Sequence, residues 1–277
     1  MELMGTNLVS FDSIFDRPYT FLDKLLSMKH ILITGASSGI GAALALEYAQ
    51  EGHRLSLSGR NRERLNTIAH LCENKGAHVH TALIDVCDRA AMTDWLLKTD
   101  TVHKIDLIIA NAGISNGSGN ADNWEESTRD IFAVNLAGTL NTILPLLPTM
   151  VARGTGQIAV MSSLAGFRGL ASSPAYSASK VCVKAYGEAL RLRYGKDGLK
   201  VNVICPGFVE SGITRQNTFK MPLLMSGDKA ARLIRHGLDK NKAIITFPWP
   251  MALATRLFAS LPLWLVEGLS TFMPKKE

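Results

Sequence analysis

From Met28 onward the chain alternates short aliphatic runs with amphipathic stretches, and no other feature constrains its fold so strongly. The runs are Ile31–Thr34, Arg54–Ser58, Val79–Ile84, Ile105–Ala110, Gln157–Ser162, Val201–Ile204 and Ala243–Phe247. Most are β-branched or aliphatic with few polar interruptions, as expected of strands covered on both faces. Helical periodicity fills Ile40–Gln50, Arg62–Lys75, Arg89–Leu97, Trp124–Arg153, Ala175–Tyr194 and Asp228–Asp239. Pro145 and Pro148 are expected to kink or end the fourth of these. Strands separated by helices join through right-handed crossovers, which wind a parallel sheet with helices on both faces. The expected fold is a single α/β domain around a doubly wound, seven-stranded parallel sheet.

A chain of 277 residues with 47% hydrophobic and 19% charged side chains can bury the core that such a sheet requires. Residues 1–27 precede the pattern and read as an N-terminal extension. Either translation starts at Met28, or the extension holds a short accessory helix around Tyr19–Ser27. The net charge of +6 comes without a Lys/Arg run or an aromatic-interleaved basic stripe, so no nucleic-acid partner is expected. Cys72, Cys87, Cys182 and Cys205 form no CxxC pair and read as free thiols of a reducing compartment. His78 and His80 share a strand face, but two ligands without a third give no expected metal site. Asp12, Asp16 and Asp23 argue against a secretory signal, and no stretch reaches the roughly 18 to 20 apolar residues of a spanning helix. A cytoplasmic location is expected.

Directly after the first strand comes Thr34-Gly35-Ala36-Ser37-Ser38-Gly39-Ile40-Gly41, leading into a helix. Glycines here let the backbone turn sharply and approach a pyrophosphate, while the helix start offers N–H groups and partial positive charge. A glycine turn can also be only a turn, but the strand before it and the helix after it supply the context a Rossmann-type phosphate site needs.

The turn resembles the cofactor turn of the short-chain dehydrogenase/reductase family, in its short one-domain branch. Asn111-Ala112-Gly113, Tyr176-Ser177-Ala178-Ser179-Lys180 and Pro206-Gly207 match that family in the same order. The likeness covers about residues 28–250. It implies an oxidoreductase that interconverts a carbonyl and an alcohol by hydride transfer with NAD(P). Gly35, Ser37, Ser38, Gly39, Ile40 and Gly41 would hold the pyrophosphate. Asn111, Ala112 and Gly113 would pass beneath the adenosine ribose. Pro206, Gly207, Val209 and Ser211 would cover the nicotinamide amide, with Ser211 where the family usually has threonine. Asp85 and Val86 would meet the adenine, although Asp85 suits equally a cap on the next helix.

Cofactor choice turns on the end of the second strand, where NAD-selective sites carry an acid for the ribose 2′-hydroxyl. Ser58-Gly59-Arg60-Asn61-Arg62 has no acid there, and Arg60 is suited to pair with a 2′-phosphate. NADP(H) is therefore expected over NAD(H), against the plainer reading of solvated helix-start arginines.

Tyr176 and Lys180 stand four residues apart on one helix face. A neighbouring ammonium and a positive nicotinamide ring would both lower a phenol pKa, so Tyr176 could exchange a proton with substrate. Ser163 lies 13 residues before Tyr176, the spacing of the family's catalytic serine, and by resemblance would polarise the carbonyl. Its competitor, Ser162, is disfavoured by the spacing to Gly166 and Tyr176. By resemblance Asn135 would hold a water beside Lys180, which would also grip the nicotinamide ribose. Asn135, Ser163, Tyr176 and Lys180 are the expected catalytic residues.

Residues 208–228 would form a lid over the substrate. Its Phe208, Phe219, Met221, Pro222, Leu223, Leu224 and Met225 favour an apolar carbonyl compound, although a lid packed on its own core would look the same. Residues 251–277 form an apolar C-terminal segment with three readings: a packed helix, an oligomer contact, or peripheral membrane contact. The family resemblance implies a homodimer or homotetramer. One competing reading keeps the fold and dinucleotide as a silent regulatory or scaffold protein; another is a nucleotide-sugar epimerase or dehydratase. The intact catalytic set opposes the first, and the short chain and glycine spacing oppose the second.

Overall fold

The computed structural model describes residues 28–50, 52–115, 123–215 and 221–270. Seven strands form one sheet: β1 His30–Thr34, β2 Arg54–Gly59, β3 His78–Leu83, β4 Leu107–Ala110, β5 Gln157–Met161, β6 Lys200–Pro206 and β7 Ile244–Phe247. All pair in parallel, in the order β3-β2-β1-β4-β5-β6-β7. The chain thus starts in mid-sheet, winds outward to β3, then crosses back to β4. Between β1 and β4 the strand order reverses, and in doubly wound sheets ligands bind off the strand C-termini at that reversal.

Two apolar layers flank the sheet. On one face α1 (Gly39–Tyr48), α2 (Arg62–Glu73) and a later helix, Gly227–Asp239, cover Ile31, Ile33, Leu55, Leu57 and Ile109. On the other, α3 (Arg89–Val102) and the helices between β4 and β6 cover Leu32, Ile108, Ile158, Val160 and Val203. Alternate residues of single strands enter opposite layers, which is why the runs read as apolar throughout rather than alternating.

The expected single helix over residues 124–153 is three helices: α4 (Trp124–Phe132), α5 (Gly138–Ile143) and α6 (Leu147–Ala152). The prolines account for the later break; the earlier one is a π-helical turn, Ala133–Ala137, that carries Asn135. The fourth strand begins at Leu107, two residues later than its sequence run. Ile105 N–H instead donates to Asp100 Oδ1 at 2.8 Å, and the Ile105 carbonyl accepts from Arg153 Nη2 at 2.8 Å. Beyond β5 come a 3₁₀ turn (Leu164–Phe167), α7 (Pro174–Tyr194), the short α8 (Gly212–Arg215), α9 (Gly227–Asp239), α10 (Trp249–Ser260) and α11 (Leu263–Ser270). The accessory helix considered for Tyr19–Ser27 lies outside the described residues.

Candidate active site

The site is assembled where β1, β2, β4, β5 and β6 end. After Thr34 the backbone turns through Gly35 at φ +66° and Gly39 at φ +56°, values that side-chain-bearing residues rarely adopt. A Cβ on Gly35 would lie 2.8 Å from Ala112 Cα; one on Gly41 would lie 2.5 Å from Asn111 Nδ2 and closer still to the Gly35 carbonyl. Ser38 begins α1 without a side-chain cap, and its first turn carries no acid. Its leading N–H groups therefore lack a side-chain partner from Ser38 and stand at the positive end of the helix. This cradle of small residues and uncapped N–H groups fits a dinucleotide pyrophosphate.

Asn111 turns inward. Its Nδ2 donates to the Thr34 carbonyl at 2.9 Å and to the Gly35 carbonyl at 3.3 Å, while Thr34 Oγ1 accepts from Asn111 N–H at 3.1 Å. The side chain thus fixes the glycine turn to the end of β4, leaving the Ala112–Gly113 backbone at the surface of the cleft. Gly113 allows the next approach: a Cβ there would stand 3.1 Å from Asn135 Oδ1 and 3.2 Å from Lys180 Nζ.

Asn135 is fully buried in the π-helical turn. Its Oδ1 accepts from Ile114 N–H at 2.8 Å, and its Nδ2 donates to the Ile114 carbonyl at 2.9 Å and to Ser179 Oγ at 3.0 Å. Ser179 Oγ in turn donates to the Tyr176 carbonyl at 2.7 Å. Asn135 therefore ties the loop after β4 to the first turn of α7. Ser179 was not singled out by sequence reasoning, because its role exists only through partners 44 residues away.

Ser163 and Ser162 separate cleanly. Ser162 Oγ is buried and donates to the Lys180 carbonyl at 2.8 Å. Ser163 caps the 3₁₀ turn, accepting from Ala165 N–H at 3.1 Å, and its hydroxyl donates to the Pro206 carbonyl at 3.4 Å while lying near enough to Tyr176 to act on the phenol's proton affinity. Gly166 lets that turn lie against α7, since a Cβ would come within 2.8 Å of the Lys180 carbonyl oxygen.

Lys180 is 3% exposed; its Nζ donates to the Met161 carbonyl at 2.9 Å and lies 5.7 Å from the Tyr176 ring centroid. Burial pushes its ammonium down to about 8. Burial also pushes the Tyr176 phenol above the ordinary tyrosine value, with the nearby Ser163 hydroxyl acting the other way. The sequence led us to expect a phenol lowered by the lysine. In the protein alone desolvation dominates both groups, because neither charged form has enough water or counter-charge around it.

At the far end of the cleft, Arg60 Nη1 stands 3.5 Å from Asp85 Oδ2, both side chains well exposed. Asp85 does not cap the next helix; its Oδ1 accepts from Cys87 N–H at 2.9 Å, and Asp88 caps α3 by accepting from Ala91 N–H at 3.0 Å. Val86 is buried, and its carbonyl accepts from Asn141 Nδ2 at 2.9 Å. Asn61 caps α2 through Arg64 N–H at 2.9 Å, so Arg60 precedes the helix and Arg62 starts it.

Opposite, Gly207 N–H donates to the Phe247 carbonyl at 2.7 Å, and a Cβ on Gly207 would stand 2.8 Å from Met251 Sδ. Val209 bridges Met225. Glu210 N–H donates to the Met225 carbonyl at 2.9 Å and Met225 N–H to the Phe208 carbonyl at 3.0 Å, joining Phe208–Glu210 to Met225. Phe219 lies outside the described residues. Ser211 sits against Gly39, whose Cβ would be 3.0 Å from Ser211 Cβ, and its N–H donates to Thr214 Oγ1 at 2.8 Å. Thr214 Oγ1 donates to the Val209 carbonyl at 2.9 Å, a tie that the sequence reading missed.

The family model for short chain dehydrogenases matches residues 29–221. The chain belongs to the short-chain dehydrogenase family. An uncharacterized oxidoreductase of Myxococcus xanthus is 38% identical over 86% of this chain and 94% of that protein. The 17-beta-hydroxysteroid dehydrogenase 13 of Rattus norvegicus is 30% identical over 81% of this chain and 76% of its own length. Among solved structures, a short-chain dehydrogenase from Sphingobium yanoikuyae in complex with NADPH superposes with a TM-score of 0.74 at 26% identity, covering 90% of this chain and 98% of that one. As a short-chain dehydrogenase this protein is an oxidoreductase of CH–OH groups with NAD(P) as acceptor, acting on small molecules through a Rossmann-type site.

Proposed function

We propose that this short-chain dehydrogenase is an NADP(H)-dependent carbonyl reductase in which Tyr176 passes a proton to the substrate oxygen. The observation that carries the reading is the convergence of three side chains at one end of the sheet: buried Lys180 with its Nζ 5.7 Å from the Tyr176 ring, and Ser163, whose hydroxyl acts on the Tyr176 phenol. A bound nicotinamide dinucleotide supplies or accepts the hydride. The glycine turn Gly35–Gly41, with Ser37, Ser38 and Ile40, would hold its pyrophosphate. Ala112 and Gly113 would carry the ribose, Asp85 and Val86 would border the adenine, and Pro206, Gly207, Val209 and Ser211 would meet the carboxamide.

In reduction the substrate oxygen takes a hydrogen bond from Ser163 and the proton from Tyr176 while its carbon gains the hydride; in oxidation Tyr176 takes the proton back. A phenol raised by burial stays in the neutral, proton-donating form, and abstraction of a proton in the oxidative direction would need the bound cofactor and Lys180 to steady the phenolate. Lys180 would steady the phenolate that remains and hold ribose hydroxyls, and Asn135 fixes the loop facing that ammonium. Arg60 supports the NADP(H) preference, being a guanidinium at the end of β2 where no carboxylate stands. The exposed Leu223 and Leu224 on the lid support an apolar substrate. The outward-facing Trp124 and Leu192 suit a homodimer or homotetramer.

The reading is tested by NADPH oxidation with a panel of ketones of increasing apolarity. Wild-type protein should turn over the apolar members, and Ser163→Ala should fall roughly a hundredfold with its NADPH affinity within about twofold. Wild-type rates in Ser163→Ala would refute the assignment. Arg60→Ala should raise KM for NADPH about tenfold and leave that for NADH unchanged; equal effects on both would remove the 2′-phosphate role.

A further inference from the structure

Ser163 opens a single 3₁₀ turn, Leu164–Phe167, after which the chain is extended at Arg168. So short a turn has few hydrogen bonds of its own, and its place is set by what it packs on. On one side it meets α7, through Ser162 and Gly166 at the Lys180 carbonyl. On the other it meets α10, and there two cations and two rings are exchanged. The Arg168 guanidinium of the turn lies 5.7 Å from the Phe258 ring of α10, and the Arg256 guanidinium of α10 lies 5.8 Å from the Phe167 ring of the turn. Lys184 of α7 stands 5.0 Å from the same Phe167 ring.

Arg168 does more than stack. Its Nη1 donates to the carbonyls of Phe258 and Ala259 at 3.2 and 3.3 Å, and to that of Leu261. The last turn of α10 holds no basic residue, so its open carbonyls take their cation from a residue 90 positions earlier in the chain. A planar guanidinium can lie on a ring and donate at its edge at once, which an ammonium cannot.

The first turn of α10 stands beside the reacting centre. A Cβ on Gly207 would meet Met251 Sδ at 2.8 Å, and Gly207 N–H donates to the Phe247 carbonyl. The Ser163 hydroxyl donates to the Pro206 carbonyl at 3.4 Å. The contacts close a ring. It runs from Ser163 along its turn to Arg168, across to the end of α10, back along that twelve-residue helix to Met251, and through Gly207 and Pro206 to Ser163. The one direct link in the ring between Ser163 and Pro206 is long for an O–H···O bond and cannot by itself fix the hydroxyl. The clasp at Arg168 is the strong one, since a charged donor there meets several carbonyls.

We propose that Arg168 is a positioning residue for the reaction: by clasping the serine turn to α10 it holds the Ser163 hydroxyl where the substrate oxygen binds. This rests on the carbonyl-reductase reading, which the ketone panel tests on wild-type protein alone. On the ketone that wild type reduces fastest, Arg168→Ala should lower kcat at least tenfold with NADPH affinity within twofold. Because Arg168 acts through Ser163, the same substitution should lower kcat less than threefold when Ser163 is already alanine. Arg191→Ala gives the comparison for a purely structural loss. Arg191 also donates to two carbonyls, those of Val201 at 2.7 Å and Asn241 at 3.1 Å, but at the other end of β6. That variant should unfold at lower urea while its kcat stays within twofold. Arg168→Lys keeps a charge near the carbonyls and serves if the alanine variant misfolds; its kcat should fall at least threefold, and not at all in the Ser163→Ala background. Hydrogen exchange followed by mass spectrometry needs no turnover. Either Arg168 variant should raise exchange at residues 163–168 and 207–210 at least threefold and leave β1–β3 as in wild type. Wild-type protein that reduces no ketone would sink the reductase reading, and exchange would still decide whether Arg168 fixes the turn. Unchanged exchange at 163–168, a kcat within twofold of wild type in folded Arg168→Ala, or a tenfold loss that persists without the Ser163 hydroxyl would each overturn the proposal.

Discussion

Replacing Lys180 by methionine separates what the residue costs the fold from what it gives the site. The substitution keeps the unbranched stem and removes the ammonium. Burial holds that ammonium at about 8 rather than 10.5. At about 1.4 kcal/mol per tenfold in proton affinity, the folded protein spends about 3 kcal/mol at pH 7 on keeping the group charged. The lost hydrogen bond to the Met161 carbonyl returns about 1–2 kcal/mol of that. Lys180→Met should therefore be more stable than wild type at pH 7 by about 1–2 kcal/mol, a rise in Tm of several degrees at ~2–4 °C per kcal/mol. The pH dependence carries the sign. Between about 8 and 10.5 the unfolded chain holds the Lys180 proton and the folded chain has released it, so wild-type stability gains with pH across that window. The advantage of the variant should shrink from pH 8 upward and vanish or reverse by pH 10.5. Urea unfolding of cofactor-free protein at pH 7, 8.5 and 10, followed by circular dichroism, measures both quantities, and turnover should fall at least a hundredfold throughout. A variant less stable than wild type at pH 7, or a difference that does not change with pH, would refute the burial argument.

Three further outcomes follow from the same geometry. Gly41→Ala would drive a methyl into the Gly35 carbonyl and to 2.5 Å from Asn111 Nδ2, so thermal unfolding should show a loss of about 2–3 kcal/mol and NADPH titration should show binding abolished. His30 is buried, with Nδ1 donating to the His103 carbonyl at 2.8 Å and Nε2 accepting from Ser56 Oγ at 2.8 Å, and burial lowers its pKa. The neutral ring stabilises the fold above pH 6.5 and loses that contribution as pH falls below it, so His30→Gln should flatten the decline in stability seen by acid titration. Asn135→Ala removes the partners of the part-buried Ile114 backbone groups and should cost about 1–3 kcal/mol in urea unfolding, with activity falling alongside because Gly113 and Lys180 lose their spacer.

The sheet was legible because most strand runs are apolar on both sides; the edge strand β3, with His78 and His80 exposed, is the exception. Thr34–Gly41 was legible as a turn because the positive φ of Gly35 and Gly39 is a local need, although the segments that Gly35, Gly39 and Gly41 approach, at Asn111–Ala112 and Ser211, are far off in sequence. Tyr176 and Lys180 were legible for the same reason: four residues on a helix share a face whatever surrounds them. What escaped was long-range. The π-helical turn has no composition of its own; it accompanies an Asn135 side chain bonded to Ile114 and Ser179. Asn111 bonds backward to the glycine turn 76 residues earlier, so its inward role cannot be read from its neighbours. Gly166 and Gly187 look like ordinary glycines until α7 is laid across β5 and β6, where a Cβ on Gly187 would stand 2.7 Å from Val160 and Val203. The direction of the Tyr176 shift was missed because pairing with lysine was visible in the sequence, whereas the depth of burial was not.

Hydride transfer can be watched on the product itself. Enzyme is mixed with NADPH carrying deuterium at the reactive ring carbon and with an apolar ketone, and the alcohol is analysed by mass spectrometry. Wild-type protein should place the deuterium on the carbinol carbon, and Tyr176→Phe should bind NADPH normally while forming labelled alcohol at least a hundredfold more slowly. Label that never reaches an alcohol in wild type, or reaches it at the wild-type rate in Tyr176→Phe, would contradict a carbonyl reductase whose proton comes from that phenol.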